Sequence, residues 1–185
     1  MRTFIAIELD INIKTNLSEF LRKLDMGIKG IRWIKSQGMH LTLKFLGEIT
    51  EKKASQVRTV LDQSMKDYPP FLLSLKGTGA FPPRSKFPRV LWVGVEHNET
   101  LHKIQARLEN DMEKLHFPKE KREFHPHLTL GRIKRPQNLG PILSLLQEQE
   151  KKEFGKMNVK KINFFQSILK PTGAEYSILS EHKLG

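Results

Sequence analysis

Cysteine is absent from this chain of 185 residues. Its absence excludes disulfide bonds and every metal site built on thiolates, and it fits an intracellular protein, with the cytoplasm as the expected location. Long apolar runs are missing too. None approaches the ~18 residues that a membrane-spanning helix needs, so no membrane partner is expected. The opening Met1-Arg2-Thr3 runs straight into a strand-like segment, with no secretory signal visible. Negative charge is the scarce sign: 20 aspartates and glutamates stand against 32 lysines and arginines, a net charge of +12. That excess asks for a polyanion, nucleic acid first, although lysine-rich helix faces that only keep a protein in solution give the same count. With 38% apolar residues, the chain is large enough for one ordinary domain or two small lobes around a real core.

What is present is a repetition. His-Leu-Thr-Leu occurs at His40–Leu43 and again at His127–Leu130. A β-type run lies upstream of each copy, from Arg2 to Glu8 and from Arg89 to Glu96, and the Arg2 to Arg89 and His40 to His127 offsets are both 87 residues. Each half reads strand, helix, strand, helix, strand. In the first half Phe4–Leu9 is a strand, Ile13, Leu17, Phe20, Leu21 and Leu24 recur at helical spacing, and Met39–Ile49 holds the histidine strand. Ala54, Val57, Leu61 and Met65 mark a second helix and Phe71–Leu75 another strand, before a Gly- and Pro-rich stretch from Gly77 to Pro88. In the second half Val90–Val95 is a strand, Leu101 to Leu115 a helix, and Glu123–Ile133 the second histidine strand. Ile142 to Gln149 reads as a shorter helix opened by Pro141, Val159–Ser167 as one further strand, and Tyr176–Leu179 as a last edge strand. The pattern predicts an α+β fold with pseudo-twofold symmetry, in which both histidine strands line one central cleft.

Side chains alternate along a strand, so His40 and Thr42 share one face while Leu41 and Leu43 anchor the other; the second copy behaves alike. One His-x-Thr on a strand is an ordinary exposed polar pair. Two copies in equivalent places of a duplicated fold point to a site. Such a pair of pairs supplies a base, an acid and two hydroxyl donors: one imidazole takes a proton from water while the other gives one to a leaving oxygen. Acid–base assistance of this kind contributes ~10²–10⁴-fold, and oriented donors to phosphoryl oxygens add to it. No metal or other cofactor is required. The rival is a metal site at His125-Pro126-His127, whose i, i+2 spacing aims two imidazoles alike, but no acidic residue within these strands completes a ligand set. His125 is expected to cap or orient.

These motifs and their flanks resemble the 2H phosphoesterases, and within them the RNA 2′,3′-cyclic phosphodiesterase (2′-5′ RNA ligase) family. The resemblance covers nearly the whole chain. It rests on Arg2-Thr3-Phe4-Ile5-Ala6-Ile7, on Arg32-Trp33, on His40 to Gly47, on Phe81-Pro82-Pro83 with Pro88 to Trp92, and on His125 to Arg132. It implies a single bilobal domain over residues 1–185, with an internal repeat of about 1–80 and 88–170. Each lobe would be an antiparallel-rich sheet with helices on its outer side, and the active-site cleft would lie between the lobes. The implied reaction is metal-independent opening of an RNA-terminal 2′,3′-cyclic phosphate to a 2′-phosphomonoester, with weak reversible 2′-5′ joining of RNA ends.

Within that reading His127 is assigned as proton acceptor and His40 as proton donor, and Thr42 and Thr129 bind phosphoryl oxygens or hold the imidazoles. Arg132 matches the family's basic residue after the second motif and would bind phosphate bidentately. Strict alternation puts it opposite His127 unless a bulge at Gly131 re-aims it. Lys44 faces the same objection without a glycine. Phe81 to Arg89 is either an RNA-contacting loop or a linker whose Phe81 and Phe87 plug the core, and the second is preferred. Trp33 is a stacking platform or a partly buried interface residue, and Lys52, Lys53, Lys151 and Lys152 are read as solvated faces. The expected partner is RNA with a 2′,3′-cyclic phosphate end, bound by a monomer. Two other readings stay open: a phosphodiesterase of the same superfamily for 2′-5′ oligonucleotides or another cyclic nucleotide phosphate, and a noncatalytic RNA-binding module.

Overall fold

The computed structural model describes residues 1–135, 138–171 and 173–185. In chain order the elements are β1 (Arg2–Glu8), α1 (Ile11–Leu24), β2 (Ile31–Trp33), β3 (His40–Glu48), α2 (Glu51–Ser64), β4 (Phe71–Phe81) and β5 (Val90–Val95). Then come α3 (Glu99–Lys114), β6 (His127–Ile133), α4 (Gly140–Glu148), β7 (Glu153–Val159), β8 (Lys161–Lys170) and β9 (Gly173–Lys183). The helices form where the apolar spacing asks for them. In α1, Ile13, Leu17, Phe20, Leu21 and Leu24 make one buried stripe. Thr50 caps α2 by accepting from the Lys53 N–H at 3.2 Å, and Asn98 caps α3 by accepting from the Leu101 N–H at 2.9 Å. Pro141 falls in the first turn of α4, where its missing N–H costs nothing.

The strands form two antiparallel sheets, ordered β3-β1-β8-β9 and β2-β6-β5-β4-β7. The α+β class is as expected, but the two halves of the chain do not each build one sheet. β4, from the first half, pairs with β5 in the second sheet, while β8 returns to pair with β1 in the first. Each sheet therefore holds strands from both halves, and its order histidine strand, first strand, exchanged strand is the same in the two (β3-β1-β8 and β6-β5-β4). The main core is continuous from Ile5 and Ile7 of β1 through α1 to α4 and into Leu91, Val93, Leu128 and Leu130 of the second sheet. A smaller cluster of Phe4, Ala6 and Phe165 packs on the opposite face of β1 and β8.

Several expected boundaries move. Val159–Ser167 is not one strand: β7 ends at Val159, the chain turns at Lys160, and β8 runs on to Lys170 in the other sheet. The Gly77–Phe81 part of the glycine-rich stretch belongs to β4, and Tyr176–Leu179 lies inside the longer β9. The second histidine strand begins at His127 rather than Glu123, and Ile31–Trp33 is an edge strand that the periodicity gives no sign of. No helix among the described residues is long and apolar enough to cross a membrane.

One buried ion pair ties the first histidine strand to the second half. The Lys44 ammonium donates to Glu109 Oε2 at 2.6 Å and to the Pro118 carbonyl at 3.0 Å, with the Lys44 side chain 3% exposed. Removing one member of such a pair strands the other charge, at a cost of about 3–5 kcal/mol. Lys44→Met should therefore lower the urea midpoint severely. Adding Glu109→Gln, which keeps an acceptor for the Glu120 N–H, should recover more than half of that loss; a double variant no better than the single one would contradict this account.

Candidate active site

His40 and His127 each open a strand, β3 and β6, and these two strands come within contact distance of one another. The ladders fix which way their side chains face. Along β3, Thr42 pairs with Ala6 and Lys44 with Ile5, so Leu43 has no partner of its own. Along β6, Thr129 pairs with Trp92 and Gly131 with Leu91, so Leu130 is the extra residue. Both motifs thus carry a β-bulge at their fourth residue. A bulge makes two residues fill one place in the ladder and reverses the facing of everything after it. Arg132, opposite Val90, consequently shares a face with Thr129 and Trp92, and it is exposed while Leu130, Gly131 and Ile133 are buried.

The glycine at position 131 has a different reason from the one expected. The β3 bulge forms with Lys44 in the equivalent place, so glycine is not what the bulge needs. A β-carbon at Gly131 would lie 2.8 Å from the Trp33 ring. β2 brings Trp33 across from Gly131 on the face shared with buried Leu91, so Trp33 packs on the core side and is no platform for a base. Lys44 likewise faces the core, held by Glu109.

On the first sheet, Phe4, Ala6 and Phe165 share the face of His40. The His40 ring lies 4.7 Å from Phe4, 5.6 Å from Phe165 and 5.0 Å edge-on from Tyr176, centroid to centroid. This aromatic shell strips water from the imidazole. Burial first, and the nearby Lys14 ammonium second, lower its pKa from 6.5 to about 4. Lys14 is held beside the site by Glu8, at 3.1 Å, and Glu8 is the ladder partner of His40. Phe45, the counterpart of Arg132 after the first bulge, is 64% exposed with its ring 6.0 Å from Phe4.

His127 is oriented differently. Its Nδ1 lies 2.7 Å from the His125 carbonyl. A carbonyl can only accept, so Nδ1 carries the proton and Nε2 is left as the free nitrogen. The Phe81 ring meets His127 edge-on at 5.1 Å and Trp92 at 5.3 Å. Phe81 therefore packs against the site, while Phe87 is 64% exposed and plugs nothing. The His125 side chain points outward, 3.7 Å from Glu123, and acts on His127 through its backbone. No group of three or more His, Asp or Glu among the described residues is placed to hold a metal ion. Two buried N–H donors, Asn163 Nδ2 and Trp92 Nε1, make no hydrogen bond among the described residues. Each lies in the row of a motif threonine: Asn163 pairs with Ala6 beside Thr42, and Trp92 with Thr129.

Two antiparallel sheets with exchanged strands and one His-x-Thr-x strand in each define the 2H phosphoesterase class. Within it the chain belongs to the 2′-5′ RNA ligase superfamily, whose family model matches residues 17–168. It is 32% identical over 184 residues to a Methanothermobacter thermautotrophicus protein named RNA 2′,3′-cyclic phosphodiesterase, covering 100% of this chain and 99% of that one. A protein of the same name from Thermotoga maritima is 36% identical, with 98% and 94% covered. Among solved structures, one from Thermus thermophilus superposes with a TM-score of 0.84 at 27% identity, covering 100% of this chain and 98% of that one. E. coli LigT complexed with 3′-AMP superposes with a TM-score of 0.81 at 23% identity, over 99% and 97%, a likeness of fold.

The depressed His40 pKa makes stability depend on pH. Between pH 6.5 and about 4 the unfolded chain holds a proton on this imidazole that the folded one refuses. Stability from this group is therefore full above pH 6.5 and lost as pH falls toward 4, by on the order of 3 kcal/mol. Chemical denaturation of wild type and His40→Phe across pH 4–7 should show the variant losing less over that window. Parallel pH dependence would contradict a buried, neutral imidazole.

Proposed function

We propose that this protein opens RNA-terminal 2′,3′-cyclic phosphates with water, leaving a 2′-phosphomonoester, and that His40 and His127 are the acid and the base. The observation that carries the reading is the matched pair of bulged His-x-Thr-x strands, one in each sheet, presenting a histidine and a threonine on the same face. The name borne by the relatives, RNA 2′,3′-cyclic phosphodiesterase, supports the substrate class. The excess of 32 basic over 20 acidic residues supports an RNA partner.

In this mechanism His127 begins with a bare Nε2, because the His125 carbonyl holds the proton on Nδ1. It takes a proton from water as the oxygen attacks phosphorus. The bond to the 3′ oxygen breaks, and His40 protonates that oxygen as it leaves. Free His40 is neutral near pH 7, given its pKa of about 4. The substrate's phosphoryl charge, in a site shielded by Phe4, Phe165 and Tyr176, raises that pKa and loads the proton only when an anion is bound. Thr42 and Thr129 donate to the nonbridging oxygens as negative charge grows there. If a ribose hydroxyl replaces water in the same step, the product is a 2′-5′ joined RNA, which gives the weak reverse activity.

Turnover of adenosine 2′,3′-cyclic phosphate in excess chelator, with the product isomer identified, tests this directly. The 2′-phosphate should form, and His40→Ala and His127→Ala should each lower kcat by about 10²–10⁴-fold. Thr42→Val or Thr129→Val should lower kcat by about tenfold or more. Full turnover by either histidine variant, on this substrate and on a longer RNA with the same end, would remove the two-histidine mechanism.

A further inference from the structure

Strand β2 places Arg32 directly opposite Arg132 of β6, and Arg132 lies opposite Val90 of β5. Ladder partners share a face, so this row of Arg32, Arg132 and Val90 looks the same way as Thr129 and Trp92. Both arginines are exposed. Like charges set directly across a ladder repel, and the pairing destabilises a sheet unless something neutralises it. Neither guanidinium lies within ion-pair distance of a carboxylate among the described residues. The Arg32 Nη2 sits 3.6 Å from where a β-carbon on Gly173 would be. Arg32 therefore extends from the edge of the second sheet to the β8–β9 turn of the first, across the space between them.

We propose that Arg32 and Arg132 form a clamp for a backbone phosphate of RNA, the phosphodiester next to the cyclic end, with Arg32 as the member that reads substrate length. The row of the two arginines is two residues along β5 from the row of Thr129, ~7 Å, a step comparable to one nucleotide of extended RNA. Two planar guanidiniums side by side present paired donors to one phosphate from two directions. Trp33, buried against Gly131 on the other face, fixes the short strand that carries Arg32. The proposal rests on the reading of the site as one for RNA ends, and it adds an affinity for the RNA body that a lone cyclic nucleotide cannot use.

Binding of a fluorescent pentanucleotide ending in a 2′-phosphate, and of adenosine 2′-phosphate, by wild type, Arg32→Gln and Arg32→Lys separates the outcomes without relying on turnover. Arg32→Gln should weaken the pentanucleotide about tenfold and weaken the mononucleotide several-fold less. It should also lower the magnitude of the logarithmic salt slope for the pentanucleotide by about 0.7. Arg32→Lys should fall between, keeping the charge and losing the fork. In low-salt buffer the melting midpoint of Arg32→Gln should rise by about 1–3 °C, because the repulsion is relieved. Added inorganic sulfate should protect wild type more than the variant. A lower midpoint in Arg32→Gln and in Arg32→Lys, or equal weakening of both ligands, would overturn the clamp. If wild type binds the pentanucleotide in this Arg32-dependent way yet turns over no cyclic phosphate, the clamp stands and the catalytic reading falls.

Discussion

Leu43 and Leu130 each fill a place in their strand that the neighbouring strand does not match. The character of both faces depends on those two extra residues. Before the bulge, His and Thr look away from the core; after it, the next residue turns inward and the one beyond turns back out. In β3 the inward residue is Lys44, which must bring Glu109 and the Pro118 carbonyl with it to be buried. In β6 it is Gly131, which must be small because Trp33 lies on it. The outward residues are Phe45 and Arg132. Two nearly identical tetrapeptides thereby end in an apolar lip on one sheet and a cationic one on the other. An asymmetric substrate with a base at one end and phosphates along its length fits such a pair.

The same asymmetry appears in the histidines. His40 is packed among rings and stays neutral well below its ordinary pKa, with Lys14 adding to the burial. His127 is tied to a backbone carbonyl that sets its tautomer. Duplication supplied two equal imidazoles, and their surroundings have made them unequal. Under the proposed mechanism this division has a kinetic meaning. The base is ready in the free protein, whereas the acid is charged by its own substrate.

Much of the fold is legible in the sequence because burial and periodicity coincide. The α1 stripe, the α3 stripe and the alternation around each His-x-Thr-x show directly in the order of residues. What escapes is whatever depends on a partner strand. Three residues, Ile31–Trp33, are too few to show a period. Val159 and the apolar run from Ile162 read as one strand because a single residue, Lys160, separates two strands of different sheets. Nothing local tells β4 to pair with β5, or β8 with β1. The site shows the same limit. The histidines and threonines announce themselves by repetition, whereas Phe4, Phe165 and Tyr176 look like ordinary apolar core until β8 and β9 bring the last two beside His40. Arg32 is equally silent until β2 sets it against Arg132.

The central claim is that the two histidines, each on its own sheet, serve one phosphate. The most direct measurement follows both imidazoles by nitrogen-15 NMR while adenosine 2′-phosphate is added. The account predicts that His40 and His127 respond together with one dissociation constant, and that the His40 titration moves up from its depressed value as the ligand binds. A response confined to one ring, or two rings following different dissociation constants, would contradict it.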